Sequence, residues 1–287
     1  MTAIAVIAGH ALRESLRRRV FLVVLILTIV FLALYGVGVA QVVPEIEGHL
    51  AGEDPSGILD RRIVAGATLV GLAMFGTLFL GTVLAVFLTL GAVRGDADRG
   101  LLQPLVVRPV GRAALLVARF LAAASVAAVY VCLVYAATLV ETGLIADWWP
   151  SRPLVPALAL AAAVTIVAAV SLFGSVHLSA TANGIAVFML FGAGLVAGLL
   201  GQVGEALASE RLIDAARIAT WALPFEALYQ AGLAALTADT TGISEVVVRL
   251  GPFGGAQDGS PALVVWVLAY LAMIGVAAVV SFRRRDL

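Results

Sequence analysis

The sequence predicts an all-α integral membrane protein that crosses the bilayer six times. Three observations carry this. Apolar residues fill 62% of the 287 positions and charged residues only 13%, where a soluble domain has roughly 45–50% and 25%. The apolar residues gather in runs of about 20 or more, the length that crosses a hydrocarbon core. Arginines concentrate in alternate loops between those runs. Residues 1–287 read as a single transmembrane domain.

The chain opens with His10, Arg13, Glu14 and Arg17 at helical spacing, opposite a stripe of Ile4, Ala8, Leu12 and Leu16. This pattern predicts an amphipathic helix over 1–19, lying in the interface with Arg17, Arg18 and Arg19 at headgroup level. A cleaved signal peptide has a shorter apolar core, about 7–15 residues, than the run that follows here. Spans are predicted at about 20–40, 63–93, 114–140, 154–176, 184–201 and 262–282. The second and third exceed what a bilayer needs, so they are expected to tilt or to project into the cytoplasm. Residues 202–261 form a long outer segment. Its stretch 212–236 is apolar but interrupted by Asp214, Arg217 and Glu226 and divided by Pro224. It predicts two short re-entrant or interfacial helices, followed by a Gly-rich loop over 251–260.

Loop arginines set the orientation. With the N-terminus inside, the inner side holds twelve Arg and four acids, and the outer side six Arg and fourteen acids. Both termini are then cytoplasmic, with Arg283, Arg284 and Arg285 beside the last span. Trp148 and Trp149, and Trp266 with Tyr270, fall at the outer headgroup level, where aromatic belts form.

Several chemistries are excluded. All 18 basic residues are Arg. A Walker-A phosphate loop needs a Lys to reach the β/γ-phosphates, and Schiff-base catalysis needs one as well. The single Cys132 forbids an internal disulfide and reads as a small core residue. His10, His49 and His177 have no metal-ligand spacing. No His/Asp/Glu or Ser/Lys pair lies at membrane depth, so an intramembrane enzyme is not indicated. No ionisable residue sits near mid-depth of a span, where ion-coupled carriers place them. A non-transporting membrane scaffold stays open. The Ala- and Arg-rich composition without Lys is that of a GC-rich bacterial genome, which points to a bacterial cytoplasmic membrane.

The most informative segment is the inner loop 94–112. Asp96 and Asp98 come first, then Leu101, Leu102, Leu105 and Val106, then Arg108 and Arg112. Pro104 tolerates a helix start and Pro109 blocks its continuation. The result is a short helix with an apolar knob and a charged rim, suited to docking a cytoplasmic partner. A solvated loop with interface-anchoring arginines would read the same way.

This segment resembles the one after the second span in permeases of the second ABC exporter type. The matching residues are Asp96, Asp98, Gly100, Leu101, Leu102, Arg108, Pro109, Val110, Arg112 and Arg119. Residues 11–19 resemble that family's interfacial helix, 223–229 a pattern before its last span, and 282–287 its ending. The layout is similar over the whole chain, and the nearest resemblance is to permeases of copper-enzyme maturation. Asp stands twice where Glu is usual, Leu101 where Thr is common, and Pro104 is unusual.

The resemblance implies a permease that is not itself an enzyme and binds no cofactor. ATP and Mg would sit in two separate ABC ATPase subunits, and a second permease copy or paralogue would complete the pair within the lipid bilayer. No nucleic acid is involved. Coupling to the ATPases would rest on Asp96, Asp98, Arg99, Leu101, Leu102, Leu105, Arg108 and Arg112. The interfacial helix would carry Arg13, Glu14, Arg17, Arg18 and Arg19.

Glu141 and Glu226 are candidates for a substrate contact or outer gate, although acids at such places are commonly interfacial or solvated. His177 and Asn183 flank a short inner turn and read as capping and loop residues. Gly194 and Gly198 form a Gly-x-x-x-Gly face in the fifth span, suited to close helix approach between copies or within one chain.

Overall fold

The computed structural model describes residues 19–49, 55–90, 112–236, 238 and 259–284. Eight helices and no strand lie among these residues. They are α1 (Arg19–His49), α2 (Pro55–Thr89), α3 (Arg112–Ala146), α4 (Leu154–His177), α5 (Ala180–Ala206), α6 (Glu210–Ala222), α7 (Pro224–Leu236) and α8 (Pro261–Arg283). Six of them are long and apolar enough to cross a membrane: α1 to α5 and α8.

Packed clusters fix the direction of each span. Val24 near the start of α1 meets Leu84 near the end of α2 and Val126 in the first half of α3. Leu116 of α3, Leu172 and Val176 of α4, and Ala278 and Phe282 of α8 form a second cluster. The start of α1 and the end of α8 therefore lie at one end of the bundle, called here the near end. The end of α1, the start of α2 and the turn that joins α3 to α4 lie at the far end.

The centre is α4. It packs against α2, α3, α5, α7 and α8. Leu160, Ala163, Val164, Ile166 and Ala168 are all fully buried, as expected of a helix apolar on every side. By contrast, α1 and α8 turn broad apolar faces outward, including Leu22, Ile26, Ile29, Val264, Val265 and Leu268. In a bilayer that exposure carries no hydrophobic cost, because lipid tails are as apolar as Leu.

Several hydroxyl side chains inside the spans bond to their own helix. Thr28 donates to the Val24 carbonyl at 2.7 Å, Thr165 to Ala161 at 2.7 Å and Thr142 to Thr138 at 2.9 Å. Each satisfies its hydroxyl where no water reaches.

Helix ends follow local chemistry. Pro occupies the first position of α2, α7 and α8, where the missing N–H costs no helix bond. After α3 the chain turns at Asp147, with φ 50°, a left-handed conformation that Asp tolerates. After α5 the left-handed residue is Ala208, φ 49°. There the Ser209 N–H returns to the Gly204 carbonyl at 2.8 Å, closing the helix as a Schellman turn.

Some boundaries differ from expectation. Helix α3 continues six residues beyond 140, through Glu141 to Ala146. Its apolar face stays in contact with α1, since Ala146 packs with Tyr35, Val39 and Val43. The extra length of α2 and α3 visible among the described residues lies at the far end rather than the near end. Residues 1–18, with Arg13, Glu14, Arg17 and Arg18 of the expected interfacial helix, lie outside the described residues. Arg19 opens α1. The segment 202–261 holds the 13-residue α6 and α7, divided at Leu223 and Pro224.

Helix α5 is the least integrated span. Its main neighbour is α6, with which it forms a hairpin, and it touches α2, α4 and α7 only lightly. The α5–α6 hairpin meets the body at three levels, described next.

Candidate functional site

At the near end a buried polar cluster joins α2, α4 and α5. The Asn183 Nδ2 of α5 donates to the Ser171 carbonyl of α4 at 2.9 Å. Thr89, the last residue of α2, bonds to the Ser171 hydroxyl at 2.7 Å. Its single proton can alternatively go to the carbonyls of Ala85 at 2.8 Å or Val86 at 3.1 Å. Thr89, Ser171 and Asn183 are all essentially fully buried. Room for the amide comes from Gly174, where a Cβ would collide with it. Asn183 is thus an interhelix tie and not the capping residue its position suggests. Ser179 holds the cap, accepting the Ala182 N–H at 3.4 Å. His177 sits edge-on to Phe173, with ring centres 5.1 Å apart.

The middle level is aromatic. Phe191 of α5 stacks on Phe225 of α7 at 5.5 Å and 18°, and meets Phe79 of α2 at 6.3 Å. The Phe225 ring lies over Gly194.

At the far end Glu226 enters the same contact. It lies in the first turn of α7 and is 1% exposed. Its carboxyl packs onto Gly198 of α5, at a place where any Cβ would strike it. Gln230, one turn on, donates its Nε2 to Oε1. Oε2 has no partner among the described residues. Burial raises the Glu226 carboxyl from the ordinary 4.5 to about 7, and the bond from Gln230 works the other way. The phenol of Tyr229, also buried, is pushed up by its own burial and by the neighbouring Glu226 carboxylate.

Glu141 lies elsewhere. It faces Gly36 of α1, beside the hydroxyl pair of Tyr35 and Thr142, and its Oε2 also lacks a partner among the described residues. The two acids sit at different helix contacts and do not form one site. The coupling candidates Asp96, Asp98, Arg99, Leu101, Leu102, Leu105 and Arg108 lie outside the described residues, and Arg112 opens α3. Among the described residues no His, Cys, Asp and Glu group could hold a metal. A groove of about 630 Å³ between α1 and α3 is lined by Leu25, Val126, Leu133 and their neighbours, with the Thr28–Tyr130 hydroxyl pair and Ser125 as its polar features. It carries no acid–base chemistry.

The sequence marked Glu226 but missed Gln230, Thr89 and Ser171. The available signal was the glycine pattern. Gly194 and Gly198 receive Phe225 and Glu226 from the same chain, which assigns that small face to packing within one subunit.

Six long apolar helices, five of them arranged about the buried α4, describe a membrane-embedded body. The family model for the ABC-2 family transporter protein matches residues 5–287. The chain belongs to that family. No curated protein matches it. The ABC-2 match takes in the spans, the loop 94–112 and the α6–α7 segment together, so the chain is a multi-pass membrane protein and an ABC transporter permease.

Proposed function

We propose that this permease exports or extracts a substrate across a bacterial cytoplasmic membrane, driven by ATP hydrolysed in separate subunits. The observation that carries the reading is the family match over nearly the whole chain. The absence of Lys supports it, because this chain has no residue to serve a Walker-A loop and must take its ATPase from elsewhere. The loop arginine bias supports cytoplasmic termini. In this reading two ATPase subunits dock on the 94–112 loops of two permease chains, with Asp98, Leu101, Leu102 and Arg108 making the contact. ATP and Mg belong to the partner. Closure of the ATPases would then move the near end of α2 and α3, between which that loop runs.

The test is a mild-detergent pull-down of the tagged protein from its host, followed by an ATPase assay, alongside Leu102→Asp. Co-purification of an active Walker-A subunit, lost in Leu102→Asp, is the expected outcome. Retention in both samples would move the docking surface elsewhere. Elution alone under several mild conditions would return the chain to the carrier or scaffold readings.

A further inference from the structure

An isolated acid taken out of water is neutral unless something compensates its charge. The elements around Glu226 offer little compensation. The one ionisable residue of helix α5 is Glu205, in its last turn, and α2 carries Asp60, Arg61 and Arg62 ahead of its spanning part and none over 63–89. In α4 the only titratable side chain is His177, and in α8 they are Tyr270 and Arg283, with His177 and Arg283 at the near end. Glu210, Arg211, Asp214 and Arg217 of α6 are exposed. Tyr229 of the same helix is kept neutral by its burial and by the carboxylate beside it, so it supplies no compensating charge. The first-turn N–H groups of α7 and the Gln230 amide favour the charge, but Oε2 is left without a partner among the described residues.

The location gives protonation a mechanical consequence. The carboxyl is wedged on Gly198, in the space that any Cβ there would occupy. Helix α5 has few other attachments to the body. The joint at Leu223 and Pro224 separates α7 from α6.

We infer that Glu226 is a proton-binding site that clasps the α5–α6 hairpin to α7, closed when the carboxyl is neutral and released when it ionises. The sign follows from the raised pKa. Between the ordinary value of 4.5 and about 7 the closed form holds a proton that the opened, water-exposed form gives up. The closed form is therefore fully favoured below that window and loses ground as pH rises through it.

The native tryptophans report this. Trp266 of α8 donates its Nε1 to the Trp221 carbonyl of α6 at 2.9 Å, and the two rings meet edge-on at 5.7 Å. Release of the hairpin separates them. The experiment uses the full chain in lipid nanodiscs, with tryptophan emission and the infrared band of a protonated carboxyl followed from about pH 5 to about pH 9. Wild type is expected to show a one-proton transition in both signals, with a midpoint near the value set by burial, about 7. Glu226→Gln, which keeps the shape of the neutral acid, is expected to remove both transitions. Gln230→Leu removes the donor that favours the charge, so its midpoint should move upward by about one pH unit. Persistence of the transition in Glu226→Gln overturns the proposal. So does a flat wild-type profile, or a downward shift in Gln230→Leu. No ATPase partner enters the measurement, so its result stands apart from the coupling reading.

Discussion

Replacing Asn183 tests whether the near-end cluster holds α5 to the body. Its amide makes one good buried hydrogen bond, to the Ser171 carbonyl at 2.9 Å, and a long one to the Ser171 hydroxyl at 3.5 Å. Interhelix side-chain bonds in membrane bundles average about 0.6 kcal/mol and reach about 1.7. Asn183→Ala also empties the space over Gly174 that the amide fills, and a partly relaxed cavity of that size adds about 1 kcal/mol. The expected loss is about 2 kcal/mol, roughly a 30-fold change in the unfolding equilibrium. Thr89→Val keeps the shape and removes only the hydroxyl, so about 0.6 kcal/mol is expected. Because both residues act on Ser171, the double variant should lose less than the sum by about 0.5 kcal/mol. The assay is reversible denaturant titration in mixed micelles, followed by helix content. An Asn183→Ala variant within about 0.3 kcal/mol of wild type would refute the tie. So would a Thr89→Val loss larger than that of Asn183→Ala.

Two further substitutions probe the packing. Gly66→Val puts a Cβ within 2.7–2.8 Å of three atoms of the Trp148 indole, so the ring must leave its buried seat. The expected loss is about 1–3 kcal/mol, with a red shift of emission, and an unchanged emission maximum would count against the contact. Phe225→Ala breaks the stack on Phe191 and is expected to lower stability by about 3–5 kcal/mol. In a double-mutant cycle with Phe191→Ala, the coupling should reach about 1 kcal/mol in thermal unfolding.

The spans were legible because bilayer thickness acts on composition directly. A run such as 154–176 has no other reading, and α4 occupies Leu154–His177. Boundaries near charged residues were less legible. Glu141 looks like a stop, yet α3 passes through it, and beyond it Ala146 still packs with Tyr35, Val39 and Val43 of α1. Only the paired helix reveals that contact. Asn183 follows a short turn, as capping residues do, and its burial depends on Gly174, nine residues earlier on a different helix. Glu226 stood out as a charge in an apolar stretch. Whether it was solvated or enclosed depended on the register of α7 against α5, which hydropathy does not encode. The sites outside the described residues, Asp98 to Arg108 above all, rest on the sequence pattern and on family membership.

The placement of α7 also orders the birth of the molecule. At 13 residues it cannot cross a bilayer by itself, so it must be received by a surface already made. Its chief partner α4, and the residues Met74, Pro156 and Ala159 against which Gly232 lies, all precede it in the chain. The larger part of the receiving groove therefore precedes α7 in the chain. Helix α8 follows, and its Trp266 fastens to the Trp221 carbonyl only after α6 is in position. A helix too short to insert unaided thus enters late, as a passenger of earlier spans, and the last span shuts the door behind it.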